Sequence, residues 1–194
     1  LLGQVDASIG GKNGVNVADY KNMVGTIVHP RFVISDVEML RTLSERELRA
    51  GMAEVVKSAI IGDAELFDYI ERWAADTLYH SSEQMQNIVL RAVRVKAAIV
   101  EADERERGLR RQLNLGHTIG HAIEKSTRAV NHGEAVAIGL VAIAKAAAKE
   151  GMLPERDAER IASVVRALGL SIEPPVPVTA IMRAVRYDKK RQDN

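Results

Sequence analysis

The chain has 194 residues, 46% of them hydrophobic and 27% charged, enough apolar material for a sizeable core in a soluble, globular protein. Its formal net charge of +1 argues against nucleic acid or a membrane surface as the main partner, though a local basic cluster could still hold a small anion. Cysteine is absent, which removes disulfides, thiolate catalysis and Cys-ligated zinc together.

The opening Leu1-Leu2-Gly3-Gln4-Val5-Asp6 has no basic n-region and no apolar stretch of signal-peptide length. No run reaches the roughly 18–20 apolar residues of a membrane span, so the expected location is cytoplasmic. No initiator Met stands at the head, and the natural chain is expected to begin earlier. Residues 1–36 read as loops and short strands, punctuated by Gly3, Gly10, Gly11, Gly14 and Gly25, with Phe32-Val33-Ile34-Ser35-Asp36 as a short buried strand. Gly10-Gly11-Lys12-Asn13-Gly14 is glycine-rich but lacks both dinucleotide-loop and Walker spacing. From Ser44-Glu45-Arg46-Glu47, a capping-box pattern, the texture becomes helical. The pattern predicts helices over about 44–60, 63–75, 81–103, 110–127, 132–150 and 154–168, with Gly151 and Gly169 at C-cap positions. Pro174, Pro175 and Pro177 enforce an extended link. A last helix, about 178–186, leads to the basic Asp188-Lys189-Lys190-Arg191. The expectation is therefore a mainly α chain divided near residue 43. Residues 1–43 are a β/loop remnant too small to fold alone, and 44–194 form an all-helical domain.

Three of the five histidines, His117, His121 and His132, fall close together. His117 and His121 are four apart and share one face of a helix, while His132-Gly133-Glu134 opens the next helix, where an antiparallel turn returns it toward His117. Gly116 and Gly120 beside the pair suggest that something approaches the backbone closely. A catalytic zinc takes three protein ligands and keeps an open position, so a carboxylate is the natural complement to two imidazoles. A satisfied, partly buried histidine pair fits the same spacing. Thr118 stands where a metalloprotease would carry its glutamate. Glu54, in Gly51-Met52-Ala53-Glu54-Val55-Val56-Lys57, reads locally as an exposed glutamate paired with a lysine, and Lys96 as a snorkelling lysine.

Several blocks, in this order, resemble the 3-dehydroquinate synthase family. They are Gln4 to Lys12, Lys21-Asn22-Met23-Val24-Gly25, Gly51 to Lys57, Asp103-Glu104-Arg105-Glu106, Asn114 to Glu124, and His132-Gly133-Glu134-Ala135-Val136. The resemblance implies an N-terminal NAD-binding α/β domain, of which 1–43 is the end, and a multi-helical metal-binding C-terminal domain. It implies that the chain is a fragment lacking the family's glycine-rich NAD loop and its N-terminal substrate arginine. It assigns Glu54, His117 and His132 to a divalent metal, Zn2+ or Co2+. Asp6, Lys12, Lys21 and Asn22 fall to a site shared by NAD and substrate, with Asp6, Lys12 and Lys21 toward the cofactor. His121, Lys57, Lys96, Glu106, Arg110 and Asn114 fall at catalytic positions, and Lys190, rather than Lys189, at the substrate phosphate. The implied activity is a carbon–oxygen lyase of the shikimate pathway, converting 3-deoxy-D-arabino-heptulosonate 7-phosphate to 3-dehydroquinate and phosphate in a homodimer. Other sugar phosphate cyclases such as 2-deoxy-scyllo-inosose synthase, metal-dependent alcohol dehydrogenases and an inactive helical scaffold are the alternatives. The partner implied is a small acidic sugar phosphate, with no nucleic acid and no membrane.

Overall fold

Ser44 starts the helical part of the chain. Its Oγ accepts the N–H of Glu47, and α1 (Glu45–Gly62) runs on from it. Asp63 ends α1 and caps α2 (Ala64–Trp73) by accepting the N–H of Leu66. Ser81 and Gln84 form a reciprocal capping box for α3 (Ser82–Ala102), and Asn131 and Glu134 do the same for α5 (His132–Lys149). Between these lies α4 (His117–Ser126), and after them α6 (Glu155–Ala167) and α7 (Val178–Gln192). The structure is a computed structural model that describes residues 1–17, 20–74 and 81–192, with side chains described for these except at 16–23 and 186–192. The mainly α architecture matches the sequence pattern. Gly151 and Gly169 adopt φ of +71°, the left-handed conformation expected of glycines that stop α5 and α6.

Helix α5 is the hub of the fold. It is apolar almost all round, burying Ala135, Val136, Ala137, Ile138, Leu140 and Val141, and packs against α1, α4 and α6. Each fully buried aliphatic side chain contributes roughly 1.5–3 kcal/mol relative to exposure. Glycines set how closely the helices approach. A Cβ on Gly133 would lie 2.0 Å from the Ala50 carbonyl oxygen of α1, and one on Gly139 would lie 2.0 Å from the Gly116 carbonyl oxygen. Helix α7 covers α4, with Ile181 seated among Ala122, Ile123, Ala135 and Ile138.

Three expectations need correction. Phe32–Asp36 is not a buried strand: among the described residues no strand lies alongside it, and Phe32 and Ile34 are 76% and 81% exposed. The strands described are β1 (Lys12–Val17) and β2 (Tyr20–Ile27), an antiparallel pair with Gly14 opposite Gly25 and an irregularity between Val15 and Val17. The helix expected over 110–127 is broken. Leu109–Asn114 is a 3-10 turn, and Gly116, at φ +76°, is the N-cap of α4. Gly116 therefore costs the helix nothing, because it supplies a turn that other residues resist. Finally, Gly3–Ala7 folds as a π-helical turn, a form concentrated at functional sites, and it carries Asp6.

Candidate metal and substrate site

Burial singles out the site. Among the described residues, Glu54, Lys57, Ser58, Lys96, Arg110 and His117 are the buried polar or charged ones, and burying a charge is costly unless it is paired. Glu54, 1% exposed, points from the middle of α1. His117 is the first residue of α4 and His132 the first of α5. Their rings stand 5.3 Å apart between centroids, and both Nε2 atoms face the same carboxylate oxygen. Glu54 Oε1 lies 3.6 Å from His117 Nε2 and 3.5 Å from His132 Nε2. These distances are long for hydrogen bonds, yet close to the roughly 3.4 Å that separates two ligands sharing a tetrahedral zinc.

The Glu54 oxygens carry no hydrogen bond of good geometry, although both are buried. Lys57, one turn on, forms an ion pair with Oε2 and leaves Oε1 to the imidazoles. The other nitrogens of the two rings are turned away from Glu54. His117 Nδ1 meets the Leu115 carbonyl at 3.1 Å, and His132 Nδ1 meets Glu124 Oε2 at 3.3 Å. A carbonyl and a carboxylate in those places hold the ring protons on Nδ1 and leave both Nε2 lone pairs toward Glu54, the arrangement a metal-binding histidine needs. The three ligand atoms lie within 4.8 Å of one another. Two imidazoles and one buried carboxylate, whose Oε1 faces both Nε2 atoms without a hydrogen bond, thus fit a catalytic divalent ion. His121, Glu124 and His132 also stand within ligand distance of one another. His132 cannot serve both sets with one neutral ring, and Glu124 on Nδ1 is explained as the group that orients it.

Protonation follows from the same contacts. Burial pushes His117 below the usual imidazole range, against the opposing pull of Glu54, and keeps it neutral and ready to ligate. With no metal bound, the Glu124 carboxylate and then Glu54 hold His132 up at about 9. Burial pushes Glu54 up, but His132 and Lys57 outweigh it and the carboxyl ends below its ordinary value.

Beside this group lies a cavity of about 220 Å³, with His117 in its wall. Lys12, Lys57, Lys96 and Arg110 line it, facing Asp6 and Glu106, so cations are in excess. Lys96, far from snorkelling, is buried, and its Nζ donates to Asp6 Oδ1 at 2.7 Å, while Lys57 Nζ stands 3.5 Å from the same oxygen. Burial raises the Asp6 carboxyl, but the pull of Lys57 and Lys96 brings it down to about 2. Arg110 is 2% exposed and donates to the Gly10 carbonyl at 2.6 Å and to the Glu104 carbonyl at 2.5 Å. Glu106 forms an ion pair with Lys12 and accepts from Asn114 Nδ2 at 3.0 Å. Its φ of +55° is the one positive value at a non-glycine among the described residues, a strained conformation of the kind held at functional sites. His121 lies near the ligands, 5.3 Å from the His117 ring and 6.0 Å from that of His132. Of the sequence-derived candidates, Asp6, Lys12, Glu54, Lys57, Lys96, Glu106, Arg110, Asn114, His117, His121 and His132 converge on one region. The side chains of Lys21, Asn22 and Lys190 lie outside the described residues.

Two contributors escaped the sequence reading. Glu124, three residues after His121, was legible only as the end of a motif, although i, i+3 spacing puts it on the same helix face. Asp103 entered the sequence reading only as part of the Asp103-Glu104-Arg105-Glu106 block, with no role of its own. Its carboxylate accepts the N–H groups of Arg107, Gly108 and Arg110 at 2.8, 2.7 and 3.0 Å, and so holds the turn that presents Glu106 and Arg110.

The chain has counterparts among known proteins. Residues 51–191 match the family model for the 3-dehydroquinate synthase C-terminal region, and residues 1–50 match the model for its N-terminal region. The chain is 46% identical to the 3-dehydroquinate synthase of Nostoc punctiforme over 98% of its length, and 43% identical to that of a Geobacter species over 100%. It spans about half the length of these curated relatives, 54% in each case. Among solved structures it is similar to 2-epi-5-epi-valiolone synthase from Streptomyces hygroscopicus, which has NAD+ and Zn2+ bound. The TM-score is 0.88 at 31% identity, covering 99% of this chain and 54% of that one. It is also similar to a 2-deoxy-scyllo-inosose synthase complexed with carbaglucose-6-phosphate, NAD+ and Co2+. There the TM-score is 0.87 at 28% identity, covering 96% of this chain and 52% of that one.

Proposed function

The chain belongs to the 3-dehydroquinate synthase family, and on that premise we propose that it serves the conversion of 3-deoxy-D-arabino-heptulosonate 7-phosphate to 3-dehydroquinate and phosphate, a lyase step of the shikimate pathway. The observation that carries this reading is the 46% identity to a 3-dehydroquinate synthase across 98% of the chain, against 31% and 28% for the cyclases of other sugar phosphates. The buried His2Glu group and the cation-rich cavity beside it support the reading, since an anionic substrate with a hydroxyl to be oxidised would need both.

Glu54, His117 and His132 would hold the metal, zinc or cobalt, and Asp6, Lys12 and Lys21 would face NAD. When bound, the metal would lower the pKa of the substrate hydroxyl to be oxidised and NAD would take up and later return the hydride. Lys57 leaves Glu54 Oε1 to the ligand position by occupying Oε2. Lys96, kept below its ordinary pKa by burial, is anchored by Asp6 and presents its ammonium to the anionic substrate. Arg110 has further N–H groups beyond those given to Gly10 and Glu104, and its planar fork suits the substrate carboxylate. Asn114 and Glu106 border both the cavity and a neighbouring cleft of about 840 Å³, the route along which substrate would enter. His121, close to the proposed ligands, would receive the hydroxyl proton or hold the phosphate, and Lys190, with Asn22, would complete the substrate contacts. The substrate's own phosphate can serve as base for its elimination, so that step needs no dedicated residue.

We read residues 1–43 as the end of the NAD-binding domain and 44–194 as the metal- and substrate-binding domain of a cytoplasmic homodimer. No helix among the described residues is long and apolar enough to cross a membrane. The test is an assay of the full-length protein with the heptulosonate phosphate, NAD and zinc, following phosphate release and 3-dehydroquinate formation. Glucose 6-phosphate runs in parallel, because it lacks the carboxylate that Arg110 would bind. Turnover of glucose 6-phosphate alone would move the protein to the 2-deoxy-scyllo-inosose synthase branch.

A further inference from the structure

Arg46 stands about two turns before Glu54 on α1 and does not line the cavity. Its guanidinium grips Glu134 with both prongs, Nε to Oε1 at 2.7 Å and Nη2 to Oε2 at 2.7 Å, and Nη2 also donates to the Ala129 carbonyl at 2.9 Å. Glu134 closes the capping box of α5. It accepts the Asn131 N–H at 2.8 Å and donates its own N–H to Asn131 Oδ1 at 3.0 Å. Asn131 Nδ2 reaches back to Glu47 of α1 at 3.1 Å. His132 sits between Asn131 and Glu134, so both sides of the turn that presents it are tied to the first turn of the helix that carries Glu54.

We propose that Arg46 is a positioning residue for the metal centre: through Glu134 it fixes His132 against Glu54. The inference rests on the reading of Glu54, His117 and His132 as metal ligands. Arg46 is more than half exposed, and ion pairs of that kind add little to stability. What the two-pronged contact supplies is geometry, since a planar fork on a carboxylate fixes distance and orientation together, as a lysine does not. Metal bonds tolerate only a few tenths of an ångström of error, so a clamp that hardly affects folding can still set affinity.

The test compares the full-length protein with Arg46→Ala, Arg46→Lys and Glu134→Gln. Three quantities are measured: thermal stability in EDTA, zinc affinity by competition with a chromophoric chelator, and the visible spectrum of the Co2+ form. Arg46→Ala should melt in EDTA close to the unmodified protein, bind zinc roughly 10-fold more weakly, and give an altered Co2+ spectrum. Arg46→Lys should recover part of the affinity, and Glu134→Gln should behave as Arg46→Ala does. If Arg46→Ala does not fold, Glu134→Gln carries the comparison alone. A lower melting temperature in EDTA with unchanged zinc affinity and Co2+ spectrum would assign the clamp to folding and overturn the proposal. Failure of the unmodified protein to take up zinc would overturn the metal reading and this inference with it.

Discussion

Gly133→Ala is the substitution whose consequence the geometry sets most tightly. The new Cβ would lie 2.0 Å from the Ala50 carbonyl oxygen and 2.5 Å from its carbon. Contact at about 3.5 Å requires the first turn of α5 to retreat from α1 by about 1.5 Å. Both neighbours are helix backbone, so no side chain can swing aside. His132 precedes Gly133 and moves with it, while Glu54, one turn beyond Ala50, stays with α1. Zinc ligands tolerate about 0.2 Å, so His132 and Glu54 could no longer share an ion. Overpacking of this kind costs about 1–3 kcal/mol, or roughly 2–12 °C in melting temperature for a chain of this size. The expected outcome is a modestly destabilised, folded protein whose zinc affinity, measured by chelator competition, falls by about 100-fold or more. Gly151→Ala is the control, because its φ of +71° strains any side chain but nothing lies within 4 Å of the new Cβ. It should lose stability and keep its zinc. Gly133→Ala with zinc affinity within threefold of the unmodified protein would refute the reasoning.

Other outcomes follow from the same contacts. Glu124→Gln should weaken zinc binding about 10- to 100-fold, because the acceptor that fixes the His132 ring loses its charge. In the metal-free protein the same change should bring His132 down from about 9, read by histidine NMR titration. Since that raised pKa stabilises the fold below the ordinary imidazole value and is lost as pH rises through about 9, the variant should flatten the alkaline limb of apo-protein stability. Asp6, held at about 2 against an ordinary 3.8, contributes about 2 kcal/mol of stability that is present above pH 4 and lost as pH falls toward 2. Acid unfolding of Asp6→Asn should therefore show a shallower pH dependence in that window, and an unchanged curve would remove the ion-pair account of Lys57 and Lys96. Zinc at about 100 times its dissociation constant should stabilise the unmodified protein by about 2.7 kcal/mol over the EDTA-treated form, and calorimetry without any such shift would count against the metal site.

Most helices were legible because their boundaries are written in local chemistry: Ser44 as a cap, Gly151 and Gly169 as stops. The site was legible unevenly. Spacing on one helix face brought out His117 and His121, but Glu54 reads locally as a surface glutamate with a lysine partner. Its partner is indeed Lys57, yet both are buried, and no local pattern can report burial produced by a neighbouring helix. The break before α4 was missed because Gly116 in a helical pattern reads as a tolerated cost, whereas here its left-handed conformation starts the helix at His117. Phe32 to Asp36 misled in the opposite direction. An apolar run signals a strand only if a neighbouring strand exists to complete its hydrogen bonds, and none is described beside it.

The close approach anticipated from Gly116 and Gly120 belongs to the helix packing. Gly116 touches α5 at Gly139 and Leu140, and a Cβ on Gly120 would meet the Ala135 carbonyl oxygen at 3.2 Å. Two of the three proposed ligands, His117 and Glu54, thus ride on helices that dock on α5 through glycine, and the third, His132, is the first residue of α5 itself. Precision at the metal is then a property of two backbone contacts, Gly133 on Ala50 and Gly139 on Gly116. Gly139→Ala places a Cβ 2.0 Å from the Gly116 oxygen and should displace His117 as Gly133→Ala displaces His132. Either change leaves one ligand out of register, and a second change has less affinity left to remove. Zinc affinities of the two single variants and the double should therefore be strongly non-additive, with the double losing less than the product of the separate losses. Losses that multiply would mean that the two contacts act on independent features, and that α5 is not the common frame of the site.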